Sequence, residues 1–394
     1  MSGLSVKPFR ALRYDFRRTS LSAAVCPPYD VIRGPFDARL RRGPRNAVHV
    51  ELPRGKEPYR AAKALFKRWR SLGILIEEAA PAFYVVEQSY TARGRRLKRT
   101  GVLTALGLDR PTAARVLRHE RTLSKHKKDR ARLIRAVKVN TSPIFGVFAD
   151  RGGKAARVLA AAKRARPLAA GRDAQGVGTK LWRLDDPKAV VALESALRPE
   201  TLLIADGHHR YEVARAHWEA TRQKGAGRVL AYIASERDAG LVVFPTHRVV
   251  VDSAQLRSAL TRSCTARPFP GLAALMRALA RERSPYALGL AGPSFSLLTP
   301  KASDRGVKSR FGTDWLAQRI LGGVDPHDIA YYHEAGDAAA EARRSGRLAL
   351  LLKDFTVTDI RKAVTRAGLL PQKSTYFFPK ICTGLAFRAF DLDP

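Results

Sequence analysis

The chain has 394 residues and a formal net charge of +37, from 72 Lys and Arg against 35 Asp and Glu. Hydrophobic residues make up 45% of it, so we expect a packed core. No apolar run reaches the ~20 residues of a membrane helix, and the first residues lack the apolar stretch of a secretory signal. These features exclude a membrane protein and predict a cytoplasmic one. Three cysteines without C-x-x-C spacing imply neither a disulfide framework nor a zinc site.

The positive charge has two explanations. One is a nucleic-acid or polyphosphate partner, whose binding would weaken as salt rises. The other is a general enrichment in arginine, with only incidental affinity for anions. The basic residues are spread from Lys7 to Arg388 rather than clustered, which favours the second explanation. A nucleic-acid partner stays open.

Residues 1–150 have the pattern of an N-terminal α/β region. Alternating apolar and polar residues predict a short strand over 48–52. Apolar residues at helical spacing predict the next helix, which ends at Gly73. Its inward-facing residues are Ala62, Leu65, Phe66, Trp69 and Leu72. The elements predicted after it are a hairpin of strands 83–90 and 100–108 that turns near Gly94, a helix over 129–139 and a strand over 143–148.

Residues 151–180 are rich in Ala, Gly and Arg, and we expect them to form a flexible loop. A C-terminal α/β region then covers 181–394. Its predicted elements include a helix over 187–197, a strand over 201–205, a helix over 208–221, a strand over 348–353, and a helix capped by Thr358 that ends at Gly368. The fold class that these elements indicate is α/β (α+β), with mixed sheets and helices.

The densest chemistry lies where a predicted strand turns through Asp206 and Gly207 into a helix. A helix start attracts anions because its first N–H groups point outward and its dipole is positive there. Arg210 offers a forked donor for phosphate or carboxylate, and His208 and His209 carry protons near neutral pH. The segment therefore predicts an anion site. A capped helix with surface histidines is the structural alternative.

A second polar cluster follows residue 117. His119 and Glu120 are candidates for an acid or base, and Arg121 is a candidate anion clamp. Lys125 extends the cluster in a way that suits a polyphosphate. The bland interpretation is a solvated basic loop.

Three smaller segments pair a rigid turn with polar or charged side chains. They supply the secondary candidates Tyr29, Asp30, His247, Arg248, Lys373 and Ser374. Neither a P-loop nor G-x-G-x-x-G is present, so the two common nucleotide motifs are excluded. No metal ligand set is predicted.

Six strings together resemble a bacterial and archaeal family known as domain of unknown function 1015. They are CPPYDVI at 26–32, HERT at 119–122, SPIF at 142–145, ADGHHRY at 205–211, PTHR at 245–248 and KSTYFFPK at 373–380. They occur in order over nearly the whole chain. The family carries no established activity.

Residues 206–214 also resemble the G-x-x-R-x-x-x-A box of the ParB/sulfiredoxin superfamily. That resemblance implies a strand–turn–helix phosphate site in which Gly207, His208, His209 and Arg210 contact phosphate. Sulfiredoxin has its nucleophilic cysteine where this chain has His208, which disfavours sulfinic acid reduction. No helix-turn-helix is identified after residue 221, although partition proteins carry one there.

The superfamily includes free-serine kinases, so the resemblance implies phosphoryl transfer or phosphate hydrolysis on a small hydroxy or amino acid such as serine or phosphoserine. A nucleotide (ADP, ATP or CTP) with Mg²⁺ is the implied cofactor, and no zinc is expected. Asp206 or Glu120 would orient or deprotonate the hydroxyl group. The alternative is a ParB-like, nucleotide-binding protein that associates with DNA, either non-catalytic or CTPase-like. Whether the chain is an enzyme is open at this point.

Overall fold

The computed structural model describes residues 3–121, 124–302 and 307–392, with the side chains of 124–126 left out. The chain divides into two compact units. The first comprises Met1–Leu117, Thr122–Val242 and Pro379–Pro394, and the second comprises Arg118–Arg121 and Val243–Phe378. The division into 1–150 and 181–394 therefore differs from the structure, because the chain returns to the first unit at its end.

The first unit contains a large sheet and helices. Its strands are β1 (Val6–Lys7), β2 (Leu12–Tyr14), β3 (Leu75–Glu77), β4 (Phe83–Ala92), β5 (Arg95–Gly107), β6 (Val116–Leu117), β7 (Val139–Asn140), β8 (Ile144–Phe148), β9 (Ala169–Arg172), β10 (Gly178–Leu184), β11 (Leu202–Asp206) and β12 (Arg228–Ser235). Its helices are α1 (Leu21–Ala24), α2 (Gly34–Arg41), α3 (Val48–Glu51), α4 (Pro58–Ser71), α5 (Arg110–Ala113), α6 (Ser124–Val137), α7 (Lys154–Ala162), α8 (Pro187–Leu197) and α9 (His208–Thr221).

The large sheet is mixed. Its strand order is β6-β11-β8-β12-β5-β4-β10-β9, and β1 also pairs with β5. The β6–β11 and β8–β12 pairs are parallel, whereas β4–β5, β5–β12 and β8–β11 are antiparallel. The predicted hairpin is confirmed: β4 and β5 pair from Tyr84↔Leu103 to Ala92↔Arg95, around Gly94 with φ 71°. Mixed sheets covered by helices confirm the α/β (α+β) class.

The predicted helix that ends at Gly73 is confirmed as α4. It buries Ala62, Phe66 and Trp69, and Gly73 follows it with φ 63°. Leu72, by contrast, is 49% exposed. The strand predicted over 48–52 is wrong, because that segment forms α3.

The sequence pattern of α3 is ambiguous because Val48, Val50 and Glu51 are buried while His49 between them is half-buried. The turn is fixed from outside it. The amide oxygen of Asn46 accepts from the Val48 N–H at 3.0 Å, and its amide nitrogen donates to backbone carbonyls of the preceding segment. These hydrogen bonds from the Asn46 side chain therefore favour one helical turn over a strand in this segment.

The flexible loop predicted over 151–180 is also wrong. Helix α7 occupies residues 154–162, and β9 and β10 pair with each other at the edge of the large sheet. Ala155 and Leu159 of α7 are buried in the core. The alanines are therefore helix formers on a packed face, and the glycines lie in the turns and short strands around it.

The second unit has its own sheet and helices. Its strands are β13 (Val242–Pro245), β14 (His247–Val250), β15 (Cys264–Phe269), β16 (Leu288–Ala291), β17 (Phe295–Pro300), β18 (Ala330–Tyr332), β19 (Leu348–Leu352) and β20 (Thr375–Phe378). Its helices are α10 (Ala254–Ser263), α11 (Leu272–Arg281), α12 (Gly312–Trp315), α13 (Ala335–Ser345) and α14 (Val357–Ala367). Strand β21 (Arg388–Ala389) follows in the first unit and pairs with β7.

The main sheet of the second unit is antiparallel, in the order β15-β17-β16-β19-β14-β18. Two apolar clusters cover it. One includes Leu275 and Ala338 from α11 and α13, and the other includes Leu256 and Trp315 from α10 and α12. The strand predicted over 348–353 and the helix that ends at Gly368 are confirmed, but Thr356 rather than Thr358 caps that helix.

The helices in the described part of the chain are too short or too polar to span a bilayer.

Replacing Trp69 with Ala tests the packing of the first unit. The side chain is 3% exposed and lies 5.7 Å from the ring of Tyr14, so its loss should lower the free energy of unfolding by about 3–5 kcal/mol. Leu72→Ala, on the exposed side just past the same helix, should change it by less than about 0.5 kcal/mol. Urea denaturation followed by circular dichroism measures both, and equal effects would contradict this account of the core.

Candidate functional site

The chain turns sharply where β11 meets α9, in the first unit. β11 pairs with β8, and its register shifts between Ile204 and Asp206, so a bulge re-aims the end of the strand. Gly207 follows with φ 88°, in the left-handed region that favours glycine. The first backbone bond of α9 then runs from the Tyr211 N–H to the Gly207 carbonyl, at 3.0 Å. The predicted strand–turn–helix corner is therefore confirmed.

A buried network of charges surrounds this corner. The Asp206 carboxylate lies 2.8 Å from the Lys380 ammonium and 2.6 Å from the Arg210 guanidinium. Lys380 also pairs with Asp30, so one ammonium bridges two carboxylates. The side chains of Lys380 and Arg210 are each 9% exposed, while those of Asp206 and Asp30 are 19% and 27% exposed. The carboxylates are the solvent-accessible part of the network.

The network holds its charges in fixed states. Burial alone would raise the pKa of Asp206, but the charges of Lys380 and Arg210 outweigh burial and hold that pKa well below its usual range. Burial alone would lower the pKa of Lys380, but Asp206 and Asp30 raise it well above its usual range. Asp206 is therefore an ionised acceptor at neutral pH, and Lys380 is a permanent cation.

Arg210 is engaged inside the chain. One Nη atom pairs with Asp206, and the other donates to the Pro143 carbonyl. The expectation of an arginine fork open to ligand phosphate therefore does not describe this geometry, in which Arg210 braces Asp206. Only its Nε is buried without a hydrogen-bond partner among the described residues.

A second buried group lies beside the network. The Glu51 carboxylate accepts from the Thr141 and Ser142 hydroxyls at 2.7 and 2.9 Å, and the Arg130 guanidinium lies 3.6 Å from it. Arg130 also stacks 4.3 Å over the ring of Tyr29. Burial raises the pKa of Tyr29 to about 12, so its hydroxyl stays protonated.

A small cavity of about 40 Å³ opens in this region. Its polar lining comes from Arg130, Asn140, Thr141, Ser142 and Arg210. A volume of this size holds one or a few water molecules. A phosphorylated ligand would therefore not fit inside it unless side chains moved.

His208 and His209 differ in exposure. His208 is buried at 6% exposure, and its charge contributes to lowering the pKa of Asp206. His209 is half-buried. Both lie in the first turn of α9, beside the network that Asp206 anchors. Their predicted catalytic role stays a prediction.

The predicted residues of the second unit form a separate cluster. Glu120 accepts from the backbone N–H groups of Ser374 and Thr375, at 3.0 and 3.1 Å. The His119 ring, fully buried, bonds the Thr375 hydroxyl at 2.7 Å. In this structure both side chains anchor the 373–378 segment, and their acid or base role stays a prediction.

Other predicted residues in this unit also bind backbone. Arg248 donates to the Lys373 carbonyl at 3.0 Å and to the Thr246 carbonyl, and His247 Nδ1 accepts from the Leu352 N–H at 3.0 Å. The Arg121 N–H donates to the Leu370 carbonyl at 3.1 Å, and its side chain is exposed. Two predicted positions, Thr122 and the Lys125 side chain, lie outside the described residues.

The structure brings together Asp206, Asp30 and Tyr29, which the sequence pattern indicates as candidates in separate segments, but that pattern misses the cation between the carboxylates. Lys380 ends the string KSTYFFPK at 373–380, and that string was the signal that could have identified it. Nothing in the sequence distinguishes Glu51 and Arg130, because a lone glutamate and a basic residue in a helix are usually solvated surface charges.

The match to known families covers most of the chain. Residues 6–340 match the family described as "Protein of unknown function (DUF1015)", and the chain belongs to that family. No curated protein matches the chain.

Several solved structures are similar at low identity. A conserved hypothetical protein from Pyrococcus furiosus is 14% identical, covers 74% of this chain and 97% of its own, and has a TM-score of 0.41. A free serine kinase variant in complex with AMP is 14% identical, covering 72% and 92%, with a TM-score of 0.41. SbnI from Staphylococcus aureus is 10% identical, covering 73% and 87%, with a TM-score of 0.41. At these values the likeness is partial, and the function of this chain rests on its own residues.

Gly207→Ala tests the corner. A Cβ there would meet the Arg210 guanidinium at 3.0 Å, on a backbone with φ 88°. We expect the free energy of unfolding to fall by about 1–3 kcal/mol. Gly336→Ala is the control, because it lies in a helix with open space around the added methyl group and should be neutral or stabilising. Urea denaturation of both variants measures this, and a neutral Gly207→Ala would contradict the proposed strain.

Asp206→Asn tests the charge network through pH. At pH 7 the variant should be about 3 kcal/mol less stable, because it leaves Lys380 and Arg210 short of a buried partner. The folded-state pKa of Asp206 is lowered, so its contribution is complete above the unfolded pKa of about 3.9 and is lost as pH falls below it. The stability gap between wild type and variant should therefore narrow below about pH 4. Urea denaturation at a series of pH values measures the gap, and one that stays constant would refute the network's role.

Proposed function

We propose that this protein transfers a phosphoryl group between a nucleotide and a small hydroxy or amino acid, with serine or phosphoserine as the best candidate. The observation that carries the proposal is the Asp30–Lys380–Asp206–Arg210 network at the start of α9. Phosphoryl transfer depends on positioning and on charge stabilisation, and this network supplies fixed charges of both signs at one place.

The start of α9 and Lys380 would bind phosphate. A helix N-terminus favours anions, and the glycine turn at Gly207 starts α9. Lys380 is held protonated, so it is a donor and point charge rather than a base. The resemblance of residues 206–214 to the ParB/sulfiredoxin box supports the same phosphate role for this turn.

Asp206 would orient the attacking hydroxyl group. A carboxylate with a lowered pKa is a weak base but a permanent hydrogen-bond acceptor, which suits alignment of a nucleophile better than full deprotonation. Asp30 offers a second acceptor, since its Oδ1 is buried without a hydrogen-bond partner among the described residues.

The alternation of charges favours an amino acid as the acceptor. A zwitterion carries an ammonium group that the carboxylates of Asp30 and Asp206 would attract, and a carboxylate that Lys380 would attract. A neutral polyol carries no charges that match this alternation.

A protein-held Mg²⁺ does not fit these residues. The Lys380 ammonium takes the place between Asp30 and Asp206 where a divalent cation would bridge them. Within the described part of the chain, no group of three or more His, Cys, Asp or Glu side chains is arranged to hold a metal. The expected carboxylate ligand for Mg²⁺ therefore stays a prediction with no residue assigned to it, and no step of the proposal passes through a metal on the protein.

A DNA-associated, nucleotide-binding protein is the second candidate, and the net charge of +37 favours it. The two functions differ in one readout. The enzyme would turn over serine without DNA, whereas the binding protein would bind DNA with a steep dependence on salt.

The direct test is turnover. The full chain is incubated with L-serine and ADP, ATP or CTP, and phosphoserine is followed by ³¹P NMR; we expect product with at least one nucleotide. Asp206→Asn and Lys380→Met should each lose about 100-fold or more in kcat, because each removes a charge that the transition state uses.

The matched control is Glu219→Gln, which removes an exposed charge from the same helix α9 and should keep full activity. Circular dichroism at the assay temperature verifies that each variant is folded. Absence of nucleotide binding and of product with all three nucleotides would refute the proposal, as would full activity in a folded Lys380→Met.

A further inference from the structure

The first unit contains a second, larger cavity that shares no residue with the Asp206 network. Its volume is about 590 Å³, within the range of small-molecule sites, about 300–1,000 Å³. Basic side chains surround it: Arg10, Lys63, Lys67, Arg70, Lys138 and Lys224. Asp391 is the one acidic residue among its described lining residues.

Helix α4 supplies half of these cations on one face. Lys63, Lys67 and Arg70 are spaced i, i+4 and i+7, which brings them one above the other along the helix. Like charges at i, i+4 repel each other, so this arrangement destabilises the free helix slightly. It becomes favourable when an anion lies between the side chains.

Most of these cations lack a partner of opposite charge. Arg70 is paired with Glu77 and with Asp391. For Lys63, Lys67, Lys138 and Lys224, no Asp or Glu oxygen of the described residues lies within 4.0 Å. Four ammonium groups around one cavity therefore remain uncompensated.

Lys138 stands at a position where its backbone is strained. It follows the last residue of α6 with φ 55°, in the left-handed region where glycine commonly ends a helix. A lysine at this position adopts the conformation at a cost in stability. Lys138 is exposed to solvent and lines the cavity.

The floor of the cavity is apolar. Five buried side chains form it: Leu12, Phe66, Val139, Phe390 and Leu392. A floor of this kind binds the apolar body of a ligand, and the lysines around it bind its charged end. Inorganic phosphate alone would leave the floor unused.

We propose that this cavity binds a small organic phosphate with an apolar or aromatic body. The four uncompensated lysines select a multiply charged anion, and the apolar floor with its two aromatic side chains selects a compact apolar group. The site is independent of the phosphoryl-transfer proposal, because it uses none of that network's residues.

Isothermal titration calorimetry on the full chain tests the site with three probes: 1-naphthyl phosphate, inorganic phosphate and 1-naphthol. We expect naphthyl phosphate to bind at least tenfold more tightly than either of the other two. Lys63→Ala/Lys67→Ala should weaken it at least tenfold. Lys154→Ala/Lys188→Ala, which removes two exposed lysines from other helices, should leave it unchanged.

A second variant separates binding from stability. Lys138→Gly removes one charge and relieves the positive φ, so it should lower the affinity for naphthyl phosphate while the thermal midpoint of the ligand-free protein rises or stays the same. The proposal would be overturned if the affinity for naphthyl phosphate were unchanged both in Lys138→Gly and in Lys63→Ala/Lys67→Ala.

The same titration distinguishes an organic phosphate from other ligands of this cavity. Equal affinity for naphthyl phosphate and inorganic phosphate would overturn the role of the apolar floor. A DNA oligonucleotide that displaces naphthyl phosphate, and that loses its own affinity in Lys63→Ala/Lys67→Ala, would overturn the small ligand in favour of nucleic acid. Phosphoserine formation should survive in Lys63→Ala/Lys67→Ala, so failure of this site is distinguishable from failure of the proposed enzyme.

Discussion

The site of the first unit depends on one buried ammonium group placed between two carboxylates. Lys380 joins Asp30 and Asp206, which are far apart in the sequence, and a charge that is buried to this degree has to be paired. Its backbone is held as well, since Gln88 donates to the Lys380 carbonyl at 3.2 Å and the buried Arg99 donates to the preceding Pro379 carbonyl at 2.5 Å. The lysine is therefore fixed at both ends, and the two carboxylates are fixed by it.

The charge balance of this network gives Arg210 a structural role rather than a ligand-binding one. An arginine after a glycine turn suggests an open phosphate clamp, yet Arg210 donates to Asp206 and to the Pro143 carbonyl. Two cations and two carboxylates together have no net charge, so under the proposed function a ligand would be selected by where its charges lie rather than by its net charge. The excess positive charge of the molecule lies elsewhere, in part around the cavity beside α4.

Local patterns in the sequence were sufficient for the elements that build the corner. The β11–Gly207–α9 turn and the β4–β5 hairpin are set by neighbouring residues, so they could be predicted. Lys380 was missed although it lies in a string that the sequence analysis singled out, because its role depends on contacts with Asp206 and Asp30, which are distant in the sequence. The predictions for 48–52 and 151–180 were wrong for a related reason. Asn46 caps the helical turn at 48–51 from outside that segment, and α7 is held by packing against a core that other segments build.

The return of the chain to the first unit has a consequence for synthesis on the ribosome. Strand β21 and Lys380 are translated only after the whole of 243–378 has emerged, although their partners Asn140, Asp30 and Asp206 were made much earlier. Domains tend to fold from the N-terminus as they are made. The nascent first unit must therefore wait without strand β21 and without the cation that pairs with Asp30 and Asp206, and both are supplied only after residue 378.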